Sequence, residues 1–263
     1  MLVFLAIILC FSGLMSGLSG FGFSAIGALS LWIIPPKLGV PLLMSLSAAN
    51  QLMSLGQLKS DLRPIREWWP TGPAPYMAGG IVGVPIGLYI LHALPTVSLM
   101  LVFGTLLTGY ALYSIFKPES LHVEVKDSVG ISAVVGVIGG VIGGFTAFPG
   151  APVVVWSGLR KLSKRDSRSI VQPYILAMQF VSIGMLAIQR PGTFSPTYWG
   201  LLAMTLPVVL PSTLLGVVIY RRISDVNFRK VTFGMLGASG VALLGKAASA
   251  LALAGIALKL AVR

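Results

Sequence analysis

The side chains that could do chemistry in this chain are few and almost all uncharged. Ser24 and Thr146 each follow a dense glycine run, Gly20-Phe21-Gly22-Phe23 and Gly143-Gly144-Phe145. A hydroxyl residue after such a break suits the start of a helix, and Pro149, just past Thr146, suits a first turn. Both hydroxyls are therefore expected to open a returning half-helix, with free N–H groups and the positive end of the helix dipole aimed inward. Two such ends facing one cavity would hold an anion without a formal charge. Asn50, Gln51, Gln57, Gln172 and Gln179 lie inside apolar runs, where amides are costly and turn toward an interior or a cavity. Asn50 with Gln172, and Gln57 with Gln179, are the better candidates for lining a path. The expected substrate-binding set is Gly20, Gly22, Ser24, Asn50, Gln57, Gly143, Gly144, Thr146, Gln172 and Gln179. Tyr174 either adds a hydroxyl to it or packs as an ordinary aromatic.

Other chemistries have no residues to carry them. The seven carboxylates, Asp61, Glu67, Glu119, Glu124, Asp127, Asp166 and Asp225, all fall in loops, which argues against a buried-acid proton relay or an acid-lined cation path. Cys10 is the single cysteine, so no disulfide framework or metal cluster follows. His92 and His122 sit at loop edges and are assigned no role. No intramembrane nucleophile or His/Asp set is visible, so neither an enzyme nor a cofactor is expected. Lys246 is expected to snorkel to the outer interface.

The elements that must position these residues are membrane helices. Only 19 Lys+Arg and 7 Asp+Glu occur in 263 residues, 10% of the chain, where soluble domains carry about 25%. Apolar residues make up 56% and the mean hydropathy is +0.91. A soluble enzyme and a disordered chain are both excluded. Continuous apolar runs at 2–34, 40–58, 71–91, 96–116, 128–156, 170–189, 198–220 and 231–262 fit helices and not the alternation of a barrel. The runs 2–34 and 128–156 are long and glycine-broken. Gly13/Gly17, Gly136/Gly140 and Gly79/Gly83/Gly87 have the spacing of close helix packing. The net charge of +12 could suggest nucleic acid, but the positives sit in short loops between runs, as topology signals do. The N-terminus lacks a positive n-region and reads as the first membrane element.

The chain restarts at its middle. An offset of 123 carries Gly13, Gly17, Gly20, Gly27 and Ala28 onto Gly136, Gly140, Gly143, Gly150 and Ala151, and an offset of 122 carries Ser45, Ser47, Asn50 and Gln57 onto Ser167, Ser169, Gln172 and Gln179. The organisation expected is a first membrane repeat over 1–116, a connecting loop over 117–127, and a second repeat over 128–263 with an extension at 247–263 that has no partner. If each broken run crosses once, Lys and Arg divide ten to eight between the two sides. If each goes in and comes back, fourteen collect on one side, in the loops at 59–69, 117–127, 160–168 and 221–230. The second arrangement obeys the positive-inside rule. It gives five elements per half and so two inverted repeats whose broken apices can meet near the midplane, a transporter signature. The fold class expected is thus all-α and polytopic, each repeat a Gly-broken hairpin of short helices or re-entrant segments plus three spans.

The duplicated pattern Gly13-xxx-Gly17-xx-Gly20-Phe21-Gly22…Gly27…Pro35 and Gly136-xxx-Gly140-xx-Gly143-Gly144-Phe145…Gly150…Pro152 resembles the sulfite exporter TauE/SafE family of membrane permeases, over essentially the whole chain. The resemblance implies movement of sulfite, a sulfonate or a related organosulfur oxyanion across the cytoplasmic membrane. The family often has a tighter glycine cluster before the proline; here Ser24-Ala25-Ile26 and Ala147-Phe148-Pro149 intervene. The partners expected are a small anion and the lipid bilayer, with a homodimer as an option and no nucleic acid. An anion channel and a membrane-embedded structural or assembly subunit are the competing readings.

Overall fold

The computed structural model describes residues 2–57, 64–116, 128–160, 162–220 and 237–252. The connecting loop at 117–127, the basic residues of 221–230, five of the seven carboxylates, His122 and residues 253–263 lie outside the described residues. The described residues form ten α-helices, short 3-10 turns and no strand: α1 Leu2–Ser19, α2 Phe23–Gly27 (continued as a 3-10 turn over Ala28–Trp32), α3 Pro36–Gln57, α4 Ala74–Ala93, α5 Thr96–Phe116, α6 Val129–Thr146, α7 Gly150–Leu159, α8 Lys164–Gln189, α9 Pro196–Tyr220 and α10 Gly237–Ala252. Seven of them (α1, α3, α4, α5, α6, α8 and α9) are long and apolar enough to cross a bilayer. The chain is a multi-pass helical membrane protein.

Both glycine-broken runs turn back on themselves. Gly27, in the return segment, comes beside Ser12 of α1, and Gly139 of α6 lies against Pro149, which opens α7. Backbone freed at such a break must be buried in protein or line a wet cavity, and residues 20, 22–28 and 143–150 are all buried.

Glycines set the packing of two parallel helix pairs. On α4, Gly79, Gly83 and Gly87 face the backbone at Ala133, Val137 and Val141 of α6, while Gly136, Gly140 and Gly144 face Tyr76, Gly80 and Gly87 in return. On α1, Gly13 and Gly17 face Val209, Thr213 and Val217 of α9, and Gly216 faces Leu14 and Leu18. A Cβ at any of these would strike backbone, so the two backbones touch directly, as small-residue interfaces allow in lipid. Gly13, Gly17, Gly136 and Gly140 pack as expected. Gly144 belongs to the same interface, and Gly143 lies against Pro149. Both therefore have packing partners.

Lys246 is tied to the first hairpin. Its Nζ donates to Leu31 O at 3.0 Å and Trp32 O at 2.6 Å, where the first return segment ends. Its ammonium also lies 5.6 Å from the Trp32 ring centre, and Trp32 Nε1 donates to Ala242 O at 3.2 Å. Gly240 of α10 packs against Gly104 and Thr108 of α5. This helix therefore joins α5 to the first hairpin.

Candidate functional site

Each hairpin closes through the same local bonds. Ser19, the last residue of α1, donates to Met15 O at 2.8 Å and accepts from Phe21 N at 3.3 Å. Thr146, the last residue of α6, donates to Ile142 O at 2.6 Å and accepts from Phe148 N at 3.1 Å. A hydroxyl that bonds back four residues and forward two ends a helix. The next residue is left-handed in both cases, Gly20 at φ 75° and Ala147 at φ 59°. Its carbonyl accepts from a glutamine on a crossing helix, Gln51 Nε2 at 3.0 Å for Gly20 and Gln179 Nε2 at 2.9 Å for Ala147.

These equivalences correct the sequence register. Ser19 and Thr146, like Gly20 and Ala147, are separated by 127 positions, and Gln51 and Gln179 by 128. Glycines spaced for packing match equally well when slid by one turn of about 3.6 residues, and the offset of 123 is that slip. Thr146 therefore ends the incoming helix and does not start the returning one. Its counterpart is Ser19, not Ser24, and the counterpart of Gln179 is Gln51, not Gln57. The returning helices begin at Phe23 and Gly150, with no side-chain cap at Gly22 or Pro149.

The expected site residues divide accordingly. Asn50 is fully buried and satisfied on both sides: Nδ2 donates to Ser16 Oγ at 2.6 Å, and Oδ1 accepts from Thr213 Oγ1 at 2.7 Å. It ties α1, α3 and α9 together. Gln57 is exposed at the last position of α3 and stays outside the buried cluster. Tyr174 donates to Gly136 O at 2.8 Å and packs on Gly139, a structural role. Ser24 is buried with its Oγ unbonded, Gln172 is 0% exposed with both amide atoms unbonded, and Gln51 Oε1 is likewise buried and unbonded.

Arg168 is the residue that sequence reasoning missed. It was counted with a basic loop, yet it sits in α8 at 6% exposure. Its Nη2 donates to Gly17 O at 3.3 Å and Leu18 O at 3.0 Å, and its guanidinium lies 4.0 Å from the Tyr220 ring centre. The signal was present in the spacing: Arg168, Gln172 and Gln179 are 4 and 7 residues apart, one face of one helix. Arg168 and Gln172 adjoin the Gly20 break, whereas Gln179 holds the Ala147 break. At 1.5 Å per residue the two breaks are staggered by about 10 Å along α8. They do not meet at one level, because α1 and α6 each run 18 residues, about 27 Å, before turning. A cavity of ≈ 430 Å³ between α5, α6 and α7 is lined by Phe103, Ile142, Phe148, Trp156 and other mostly apolar groups, with Trp156 Nε1 buried and unbonded.

The family model for the sulfite exporter TauE/SafE matches residues 5–243. Comparisons with curated proteins and with solved structures return no match. Two uncapped return helices, buried amides and a buried guanidinium beside a backbone break suit anion passage, and with the match over nearly the whole chain they place this protein in the sulfite exporter TauE/SafE family of membrane transporters.

Proposed function

We propose that the chain carries a small oxyanion, such as sulfite, a sulfonate or another organosulfur anion, across the cytoplasmic membrane by alternating access between two inverted repeats. The observation that carries this reading is the paired clamp, Gln51 on the Gly20 carbonyl and Gln179 on the Ala147 carbonyl. It builds the same interrupted backbone twice. Gly20 brings Gln51 of α3 beside Gln172 of α8, while Ser45 of α3 bonds Tyr198, just past the far end of α8, at 2.5 Å. This order of contacts supports α3 and α8 running antiparallel, as inverted repeats require. The first turns of α2 and α7 offer N–H groups free of side-chain caps, the donors that broken-helix transporters present to anionic groups.

Flux of radiolabelled sulfite, sulfate and a sulfonate into proteoliposomes tests the function. Saturable, anion-selective flux is expected, and its absence for every anion would end the reading. Cysteines placed singly at 37 and 164 in a Cys10→Ser background test the inversion. They are expected to label from opposite faces, with 164 cytoplasmic. Labelling from one face would restore single crossings.

A further inference from the structure

Arg168 and Gln172 face the first break from adjacent turns of α8. A Cβ built on Gly20 would meet Arg168 Nε and Gln172 Nε2, each at 2.7 Å. The two nitrogens thus flank one point and lie no more than about 5.4 Å apart. Gln172 has no exposure and no bond to either amide atom, and Gln51 Oε1 is also unbonded there. Burying a whole amide unpaired is a loss that folding does not recover, so it points to a ligand. Arg168 offers what the amides lack, a fixed positive charge and a planar set of donors matched to oxyanions. One of its nitrogens is spent on the Gly17 and Leu18 carbonyls, while its Nε edge lies toward Gly20 and Gln172.

We propose that Arg168 and Gln172 form the recognition site for the transported anion, gripping two oxygens of one oxyanion at the Gly20 break. This rests on the anion-transport reading above. The amide turns its NH2 toward one oxygen and the guanidinium takes the other. Among the described residues, the Ala147 break carries no counterpart of this pair: it has the glutamine clamp. Recognition is therefore one-sided, and passage past the second break depends on backbone and amide groups.

The test uses the full chain in proteoliposomes and in detergent. Wild type, Gln172→Glu, Gln172→Met and Arg168→Lys are compared for sulfite KM and kcat, and for melting temperature with and without sulfite. Gln172→Glu is nearly isosteric and sets a carboxylate beside the guanidinium. It is expected to cut flux by about 50-fold or more and to abolish the sulfite-induced rise in melting temperature, while the unliganded protein melts no lower than wild type. Gln172→Met keeps the volume without the donor, and Arg168→Lys keeps the charge without the planar fork. Each is expected to raise KM about tenfold with kcat little changed. Wild-type KM in Gln172→Met and Arg168→Lys, with wild type active, would overturn the site and leave the transport reading intact. No flux in wild type, together with a sulfite-induced melting shift that Gln172→Glu loses, would sustain the site and sink transport. No shift and no flux would sink both.

Discussion

Replacing Asn50 by Leu should weaken the fold and leave recognition alone, although the sequence places Asn50 and Gln172 in the same class. Asn50 joins three helices through two bonds, 2.6 Å to Ser16 on α1 and 2.7 Å from Thr213 on α9. Leu fills a similar volume, so the loss is polar. Val209 O lies 2.8 Å from the Thr213 hydroxyl, so its one proton can turn there when Asn50 is gone. Ser16 can turn its hydroxyl to the carbonyl four residues back, as Ser12 does to Ile8 O at 2.9 Å. Neither group is stranded, and the cost is that of two interhelical bonds in lipid, about 0.6 kcal/mol each on average and about 1.7 at most. Unfolding in mixed micelles should therefore show a loss of about 1–3 kcal/mol. A cycle with Thr213→Val should show a coupling within the range of one such bond. Sulfite KM should stay within about twofold of wild type, since both polar atoms of Asn50 are already engaged by Ser16 and Thr213. A tenfold rise in KM with unchanged stability would refute this division between tie and site.

Gly20→Ala forces a side chain into a left-handed residue against Arg168 and Gln172. It should cost about 1–2 kcal/mol and raise KM, whereas Ala147→Gly should change stability by less than about 1 kcal/mol and leave KM alone. Unfolding curves and flux on both variants decide. Gly83→Leu drives a side chain into the α6 backbone; overpacking of about 1–3 kcal/mol or more should appear as a lower melting temperature, and a wild-type melt would refute the contact. Lys246→Met strips two hydrogen bonds from the Leu31 and Trp32 carbonyls. Trp32 fluorescence should shift as α10 loosens, and an unmoved spectrum would count against the tie.

The fold was legible where composition sets it. Length and apolarity alone yield helices, and two glycine-broken runs yield two hairpins, because a run of 30 or so apolar residues with a flexible interruption exceeds one crossing. The register was not legible from glycines, since their packing role repeats every turn and the α4–α6 and α1–α9 interfaces use them at every turn. The informative residues were Ser19 and Thr146, alike in chemistry but set in unlike neighbourhoods. Arg168 was hidden by its context: among Arg160, Lys161, Lys164 and Arg165 it looks like one more loop charge. Helix phase distinguishes it, since Arg165 is exposed three residues earlier while Arg168 faces the same side as Gln172. Asn50 and Gln172 could not be told apart in sequence, because whether an amide is satisfied depends on Ser16 and Thr213, 34 and 163 positions away.

The one-sided placement of charge also bears on how a chain so poor in ionisable groups can pass an anion. A guanidinium alone in hydrocarbon would be prohibitively costly. Arg168 is made tolerable by the last carbonyls of α1, the negative end of that helix, and by the face of Tyr220. These partners include neutral carbonyls, and an anionic oxygen forms the stronger, charge-assisted bond. Substrate and the end of α1 then draw on the same side chain, so occupancy and the seating of the first hairpin are linked by differential contact. A second arginine at the Ala147 break would hold the anion at both ends, and transport needs binding weak enough to release. The left-handed residue there is held by an uncharged glutamine. Charge at one break and an amide clamp at the other follow from similar hairpin ends furnished differently.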